Sequence, residues 1–170
     1  MEFDANQLRL RRARVIFGGD PNAVRVLVTG SRTWTDRAAI KKALSELPPK
    51  CTIVHGGCET GADWIADEVA KELGLRTEVH PARWDEEGRG AGPLRNQRMV
   101  DEGADFCLAF RQPGPSRGTD DCVRRAKAAG IEVRMVEPDL TMQSAAQSEG
   151  KTSLAFQPLA KPTGPRRPRL

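Results

Sequence analysis

A chain of 170 residues, 38% hydrophobic and 29% charged, has the length and apolar content for one cored domain with surplus at its ends. No apolar run approaches the roughly 20 residues of a membrane-spanning helix, and no apolar segment follows Arg11-Arg12, so the expectation is a cytoplasmic protein with no membrane partner. Residues 141–170 hold five basic side chains against Glu149 alone, which accounts for the whole net charge of +4 and leaves the remainder neutral, so the basic pI is no argument that the folded part binds nucleic acid.

Residues 1–22 form a polar, arginine-rich extension closed by the turn signal Gly18-Gly19-Asp20-Pro21-Asn22. Within it, the run 8–16 reads as a short helix or as an added strand. Residues 24–29 are a β-branched apolar run and predict a strand that exits into Gly30-Ser31-Arg32. Asp36 is suited to cap a helix with Ala39, Ile40, Ala43, Leu44 and Leu47 on one face, ended by Pro48-Pro49. A second strand over 51–54 leads into His55-Gly56-Gly57, then Gly61-Ala62-Asp63 opens a helix over 62–73 with Gly74 as its C-cap. The third strand is expected over 76–80, followed by a long loop over 81–93 that carries Trp84. A short helix over 94–102, a strand over 105–110, a turn-rich stretch over 112–117, a helix over 121–129 and a strand over 131–136 complete the pattern. Past Pro138 the apolar periodicity stops, and Ser, Gln, Pro and basic residues predict a mostly disordered tail over 139–170.

Strands alternating with helices imply an α/β fold: a mainly five-stranded parallel sheet between two layers of helices. The strands read as nearly continuous apolar runs, as covered faces require. The domain plan is an extension over 1–22, one domain over 23–138 and a basic tail over 139–170. Cys51, Cys58, Cys107 and Cys122 form no C-x-x-C pair and the chain has two histidines, so neither a metal nor a cofactor is expected. Cys51 and Cys107 read as small buried hydrophobes.

In open parallel sheets, ligands bind beyond the carboxyl ends of the strands. The unusual residues of this chain collect there: Gly30-Ser31-Arg32, His55-Gly56-Gly57 with Gly61-Ala62-Asp63, Arg95-Asn96, and Ser116-Arg117-Gly118-Thr119. Glycine lets backbone N–H groups approach an anion, and a helix N-terminus adds partial positive charge. Arg32, Arg95 and Arg117 can donate paired hydrogen bonds to phosphate, and Ser31 and Thr119 can add hydroxyls. Each loop alone is as readily a plain turn, and neither G-x-G-x-x-G nor a Walker A run occurs. Asp63 reads either as a first-turn carboxylate favoured by the helix dipole or as a hydroxyl-binding or catalytic group. Asn96 reads as a helix residue or a base reader, His55 as a strand-end residue or an acid–base group, and Trp34 and Trp84 as core or wall residues, with base stacking a further reading for Trp84.

Together with Trp34, Asp36, Ala91-Gly92-Pro93, Met99 and Ala109-Phe110, these motifs resemble the YspA-type branch of the SLOG family over residues 24–136. That is the Rossmann-like superfamily containing the LOG nucleotide phosphoribohydrolases and the DNA-processing protein DprA. The resemblance implies a Rossmann-like fold and a small nucleotide-derived ligand, in phage, mobile-element or conflict settings. LOG enzymes carry P-G-G-x-G-T-x-x-E; aligned on Gly118-Thr119, the glutamate position here is Cys122. Asp63 and Asp120 or Asp121 are the carboxylates left to stand in for it, with Asp63 and Asp121 taken as the candidate catalytic pair. The expectation is a ligand-binding domain with N-glycoside hydrolysis open. The alternatives are a DprA-like single-stranded nucleic-acid module using the cleft and the basic tail, or a scaffold with a vestigial pocket. Assembly into a homo-oligomer stays open.

Overall fold

The computed structural model describes residues 24–138. Both the extension over 1–22 and the tail over 139–170 lie outside them. Five strands form one parallel sheet in the order β3-β2-β1-β4-β5: β1 Arg25–Gly30, β2 Thr52–His55, β3 Arg76–Val79, β4 Phe106–Phe110 and β5 Glu132–Val136. The connecting helices are α1 Arg37–Ser45, α2 Ala62–Glu72, the single turn α3 Trp84–Glu87, α4 Ala91–Asp101 and α5 Arg117–Ala128. The Rossmann-like three-layer α/β class is therefore the fold.

Alternation along β1 decides which layer each residue joins. Val26 and Val28 point to one face, where they pack with Ile40 and Leu44 of α1 and Ile65, Ala66 and Val69 of α2. Leu27 points to the other, against Met99 and Val100 of α4 and Cys122 and Ala126 of α5. Trp34 caps the first core, edge-on to Phe110 at 5.4 Å between ring centres, and its indole N–H donates to the Asp36 carbonyl at 2.8 Å. Trp34 is a core residue.

Four expectations change. Continuous apolar strands describe β1, β2 and β4, but β3 and β5 are the sheet edges and carry partly exposed polar residues such as Glu78 and Arg134; an edge strand with charge on it resists pairing with other chains. The loop over 81–93 is largely helical, with α3 and a 3-10 turn at Gly88–Gly90 running into α4. Helix α4 starts at Ala91 because Pro93 sits in its first turn, where no N–H is needed. Helix α5 starts at Arg117, four residues before the expected Asp121, so Gly118-Thr119 is helical rather than loop.

Strand order reverses between β1 and β4: the chain steps outward through β2 and β3, then returns by α4 to the far side of β1. That reversal leaves the β1 and β4 loops splayed apart, the place where a crevice forms in this architecture.

Candidate functional site

A cleft of about 440 Å³ opens at the carboxyl ends of β1 and β4. The β1 loop contributes Gly30, Ser31 and Arg32; the start of α5 contributes Ser116, Arg117, Gly118, Thr119 and Asp121. Arg95 and Asn96 reach it from α4, Asp63 from α2 and Trp84 from α3.

Hydroxyls stitch the two principal loops together. The Gln112 N–H donates to Ser31 Oγ at 3.2 Å, Ser31 Oγ lies 3.4 Å from Ser116 Oγ, and Ser116 Oγ donates to Thr119 Oγ1 at 2.8 Å. The Thr33 and Gln112 side chains close the same gap at 3.1 Å. Because Ser116 turns its hydroxyl to Thr119, it makes no side-chain cap on α5. The N–H groups of Arg117, Gly118 and Thr119 consequently have no acceptor among the described residues. Arg32 and Arg117 are exposed at this point and form no ion pair among the described residues.

Two carboxylates face the same space under opposite electrostatics. Asp63 is buried; its Oδ2 accepts from the Gly56 N–H at 3.1 Å and the Cys58 N–H at 3.5 Å. Burial pushes its carboxyl above the usual range, opposed by the charges of Arg95 and His55 and by those two N–H groups. Burial also pushes Asp121 up, but hydrogen bonds from Arg125 (2.8 Å) and Asn96 (3.1 Å), with Arg124 alongside, prevail and hold it low. Asn96 is buried, donating to the Gly118 carbonyl at 3.2 Å and accepting from Arg95 Nε at 3.1 Å, so it fixes the start of α5 relative to α4.

The remaining predicted residues, His55, Gly56, Gly57, Gly61 and Ala62, are not part of the cleft wall. Their polar groups turn inward. Gly56 N–H goes to Asp63, Gly57 N–H to His55 Nδ1 at 3.2 Å, and Ala62 N–H to the Ser31 carbonyl at 3.2 Å. Gly56 lies under the Arg95 guanidinium, where a Cβ would stand 1.5 Å from Nη1. Gly61 has φ 74° and ψ −147°, open essentially to glycine alone. His55 is buried, with Nε2 3.4 Å from Asp67 Oδ1.

Cys122 is fully buried beside Cys107, and burial pushes its thiol up to about 11. Cys58 and Gln112 belong to the cleft although no local motif marks them; only contacts between distant parts of the chain bring them there. Away from the cleft, Glu78, His80 and Glu102 come within 4.8 Å of one another. Arg25 binds both Glu78 oxygens at 2.6 and 2.8 Å, so this group is an ion-pair network tying β1 and β3 to Glu102 at the end of α4. No helix among the described residues is long and apolar enough to cross a membrane.

A parallel sheet, helices on both faces and a cleft at the strand-order reversal define a Rossmann-like ligand-binding module. The family model described as the YspA, cpYpsA-related SLOG family matches residues 24–86, from β1 through most of α3. The chain is also 46% identical over 118 residues to the Gene 61 protein of Mycobacterium phage D29, an alignment covering 64% of this chain and 93% of that relative. The chain belongs to the YspA, cpYpsA-related SLOG family. No solved structure matches it. Membership supports a nucleotide-related ligand-binding module at the level of the family.

Proposed function

We propose that the cleft binds a phosphorylated nucleotide or nucleotide-derived molecule, with the phosphate against the first turn of α5 between Arg32 and Arg117 and a ribose hydroxyl toward Asp63. The observation that carries this is Gly118. Its backbone is helical and a Cβ would meet nothing within 4 Å, so the fold does not require glycine there. Glycine in a helix costs about 0.5–1 kcal/mol relative to alanine. Its use in this turn, which no side chain caps and where Arg32 and Arg117 make no ion pair among the described residues, keeps open the approach to three N–H groups. Ser31, Ser116 and Thr119 add hydroxyls beside them.

Binding is the primary activity in this reading. Cys122, at the position of the LOG glutamate, is a core thiol and offers no carboxylate to the cleft. Asp63, the buried carboxyl at the cleft, is the group on which any N-glycoside hydrolysis would depend in this reading. The DprA-like alternative would draw on residues 141–170, outside the described residues.

Titration calorimetry with AMP, ribose 5-phosphate and inorganic phosphate tests the reading. Wild type binds AMP, and Arg32→Ala and Arg117→Ala each weaken binding about tenfold, the loss of one charge-assisted contact. Deleting 141–170 leaves AMP binding intact and abolishes salt-sensitive binding to single-stranded DNA, if any. Unchanged melting temperature and no heat with any of the three compounds would refute the proposal. Nucleobase release, where detected, disappears in Asp63→Ala.

A further inference from the structure

Trp84 is 52% exposed, on a helical turn that buries none of its residues. The adjoining 3-10 turn Gly88–Gly90 buries none either. Neither core cluster includes any of this segment. It is nonetheless firmly fastened. Glu87 accepts from Arg98 Nη1 and Nη2 at 2.5 and 3.2 Å, a two-pronged clamp onto α4, and that pairing holds the Glu87 carboxyl below its usual range. The Glu87 N–H also closes on the Arg83 carbonyl at 2.8 Å. A segment that adds nothing to the core, yet is clamped in place, serves the surface it presents.

That surface is an indole at the cleft. Among the described residues, Trp84 is the only aromatic side chain lining the cleft, beside Gly92 and Pro93. Its Cη2 lies 3.5 Å from where a Cβ on Gly92 would stand, so the ring edge runs along the start of α4. Among the other cleft groups, Arg32, Arg117, Ser31 and Asp63 suit phosphate and hydroxyls, and Pro93, Pro113 and Pro115 add apolar surface without a π-face. A cleft of about 440 Å³ is within the usual size for a small-ligand site.

Building on the phosphate-binding reading above, we propose that Trp84 is the stacking platform for the ligand's nucleobase, and that the site selects nucleoside phosphates over bare sugar phosphates. Glu87 and Arg98 are positioning residues for it. Base–indole stacking tolerates any base, because every base has a π-face.

The test is calorimetry with AMP, UMP and ribose 5-phosphate on four proteins: wild type, Trp84→Ala, Trp84→Phe and Trp64→Ala. Trp64 is the control, an equally exposed indole at 51% that is not a cleft residue. Wild type is expected to bind both nucleotides about ten- to hundredfold more tightly than ribose 5-phosphate. Trp84→Ala removes that margin and leaves ribose 5-phosphate within twofold of wild type; Trp84→Phe keeps most of it; Trp64→Ala changes nothing. Equal wild-type affinity for all three compounds, or an equal loss of all three in Trp84→Ala, overturns the stacking role while leaving the phosphate reading standing. Binding of none of them to wild type overturns both.

Discussion

Two glycine-rich turns in this chain look alike in sequence and do opposite things. The turn between β2 and α2, from His55 to Gly61, directs its N–H groups into the protein: to Asp63, to His55 and, from Ala62, to the Ser31 carbonyl. After β4, the first turn of α5 leaves the N–H groups of Arg117, Gly118 and Thr119 without an acceptor among the described residues and surrounds them with hydroxyls and arginines. Glycine in the first makes room for protein; at Gly118 in the second, a Cβ would meet no protein atom within 4 Å. The difference lies in where the donors go, and a buried donor must go somewhere. Asp63 at the start of α2 takes two donors of the first turn, whereas Ser116 at the start of α5 gives its hydroxyl to Thr119 and leaves the helix end open.

The largest expected effect separates the two turns directly. In Gly61→Ala, a Cβ would stand 2.3 Å from the Ser31 carbonyl oxygen in a conformation alanine does not adopt. Strain and overpacking together cost about 3 kcal/mol or more, read as a fall in urea midpoint. Gly118→Ala meets no protein atom. It should be as stable as wild type or more so, by up to about 1 kcal/mol, while AMP affinity drops. A variant that gains stability as it loses ligand cannot be explained by misfolding. If Gly118→Ala binds AMP normally, the approach to α5 is not where the phosphate sits.

The contrast between the turns also marks what could be read from the residues alone. The five strands, the parallel sheet and the convergence of Ser31, Arg32, Arg117 and Thr119 follow from apolar runs and from the rule that loops after parallel strands share an edge. The inward role of Gly56 and Gly61 does not follow, because it depends on the Arg95 side chain and the Ser31 carbonyl, each more than 25 positions away. Helix α3 was hidden because Trp84–Glu87 is too short and too polar to show a helical period. The early start of α5 was hidden because Gly118 argues locally for a loop. In both cases, contacts outside the segment override its local preference.

A second prediction, of intermediate size, sets the two cleft carboxylates against each other. Asp63 has its folded-state pKa raised, so the stability it contributes is complete below the unfolded carboxylate pKa of about 3.9 and is lost as pH rises through the folded value. Asp121 has its folded-state pKa lowered, so its contribution is present above about 3.9 and is lost as pH falls through the folded value. In urea unfolding at stepped pH, wild type should gain on Asp63→Asn as pH is lowered. It should lead Asp121→Asn by about 2 kcal/mol at neutral pH, the worth of hydrogen bonds to a charged group, and lose that lead in acid. Parallel profiles for the two variants would mean that their surroundings do not differ as described.

The smallest effect concerns Asp120, the single acidic residue in the first turn of α5. Its exposed pairing with Arg111, at 2.8 Å, contributes little to folding, so Asp120→Asn should cost under about 0.5 kcal/mol. Its charge matters more to the cleft than to the fold. A carboxylate there favours the helix dipole when the helix end is empty, and repels an arriving phosphate. Neutralising it also frees Arg111 near the same helix end. AMP affinity should therefore rise by about two- to threefold in low salt, and the gain should fade as ionic strength shortens the screening length. In the β2–α2 turn the comparable carboxylate, Asp63, is bonded to the turn itself, so its removal should show no salt-sensitive gain in phosphate affinity. If Asp63→Asn and Asp120→Asn raised AMP affinity alike, both helix ends would be reaching the anion, and the division between a closed turn and an open one would fail.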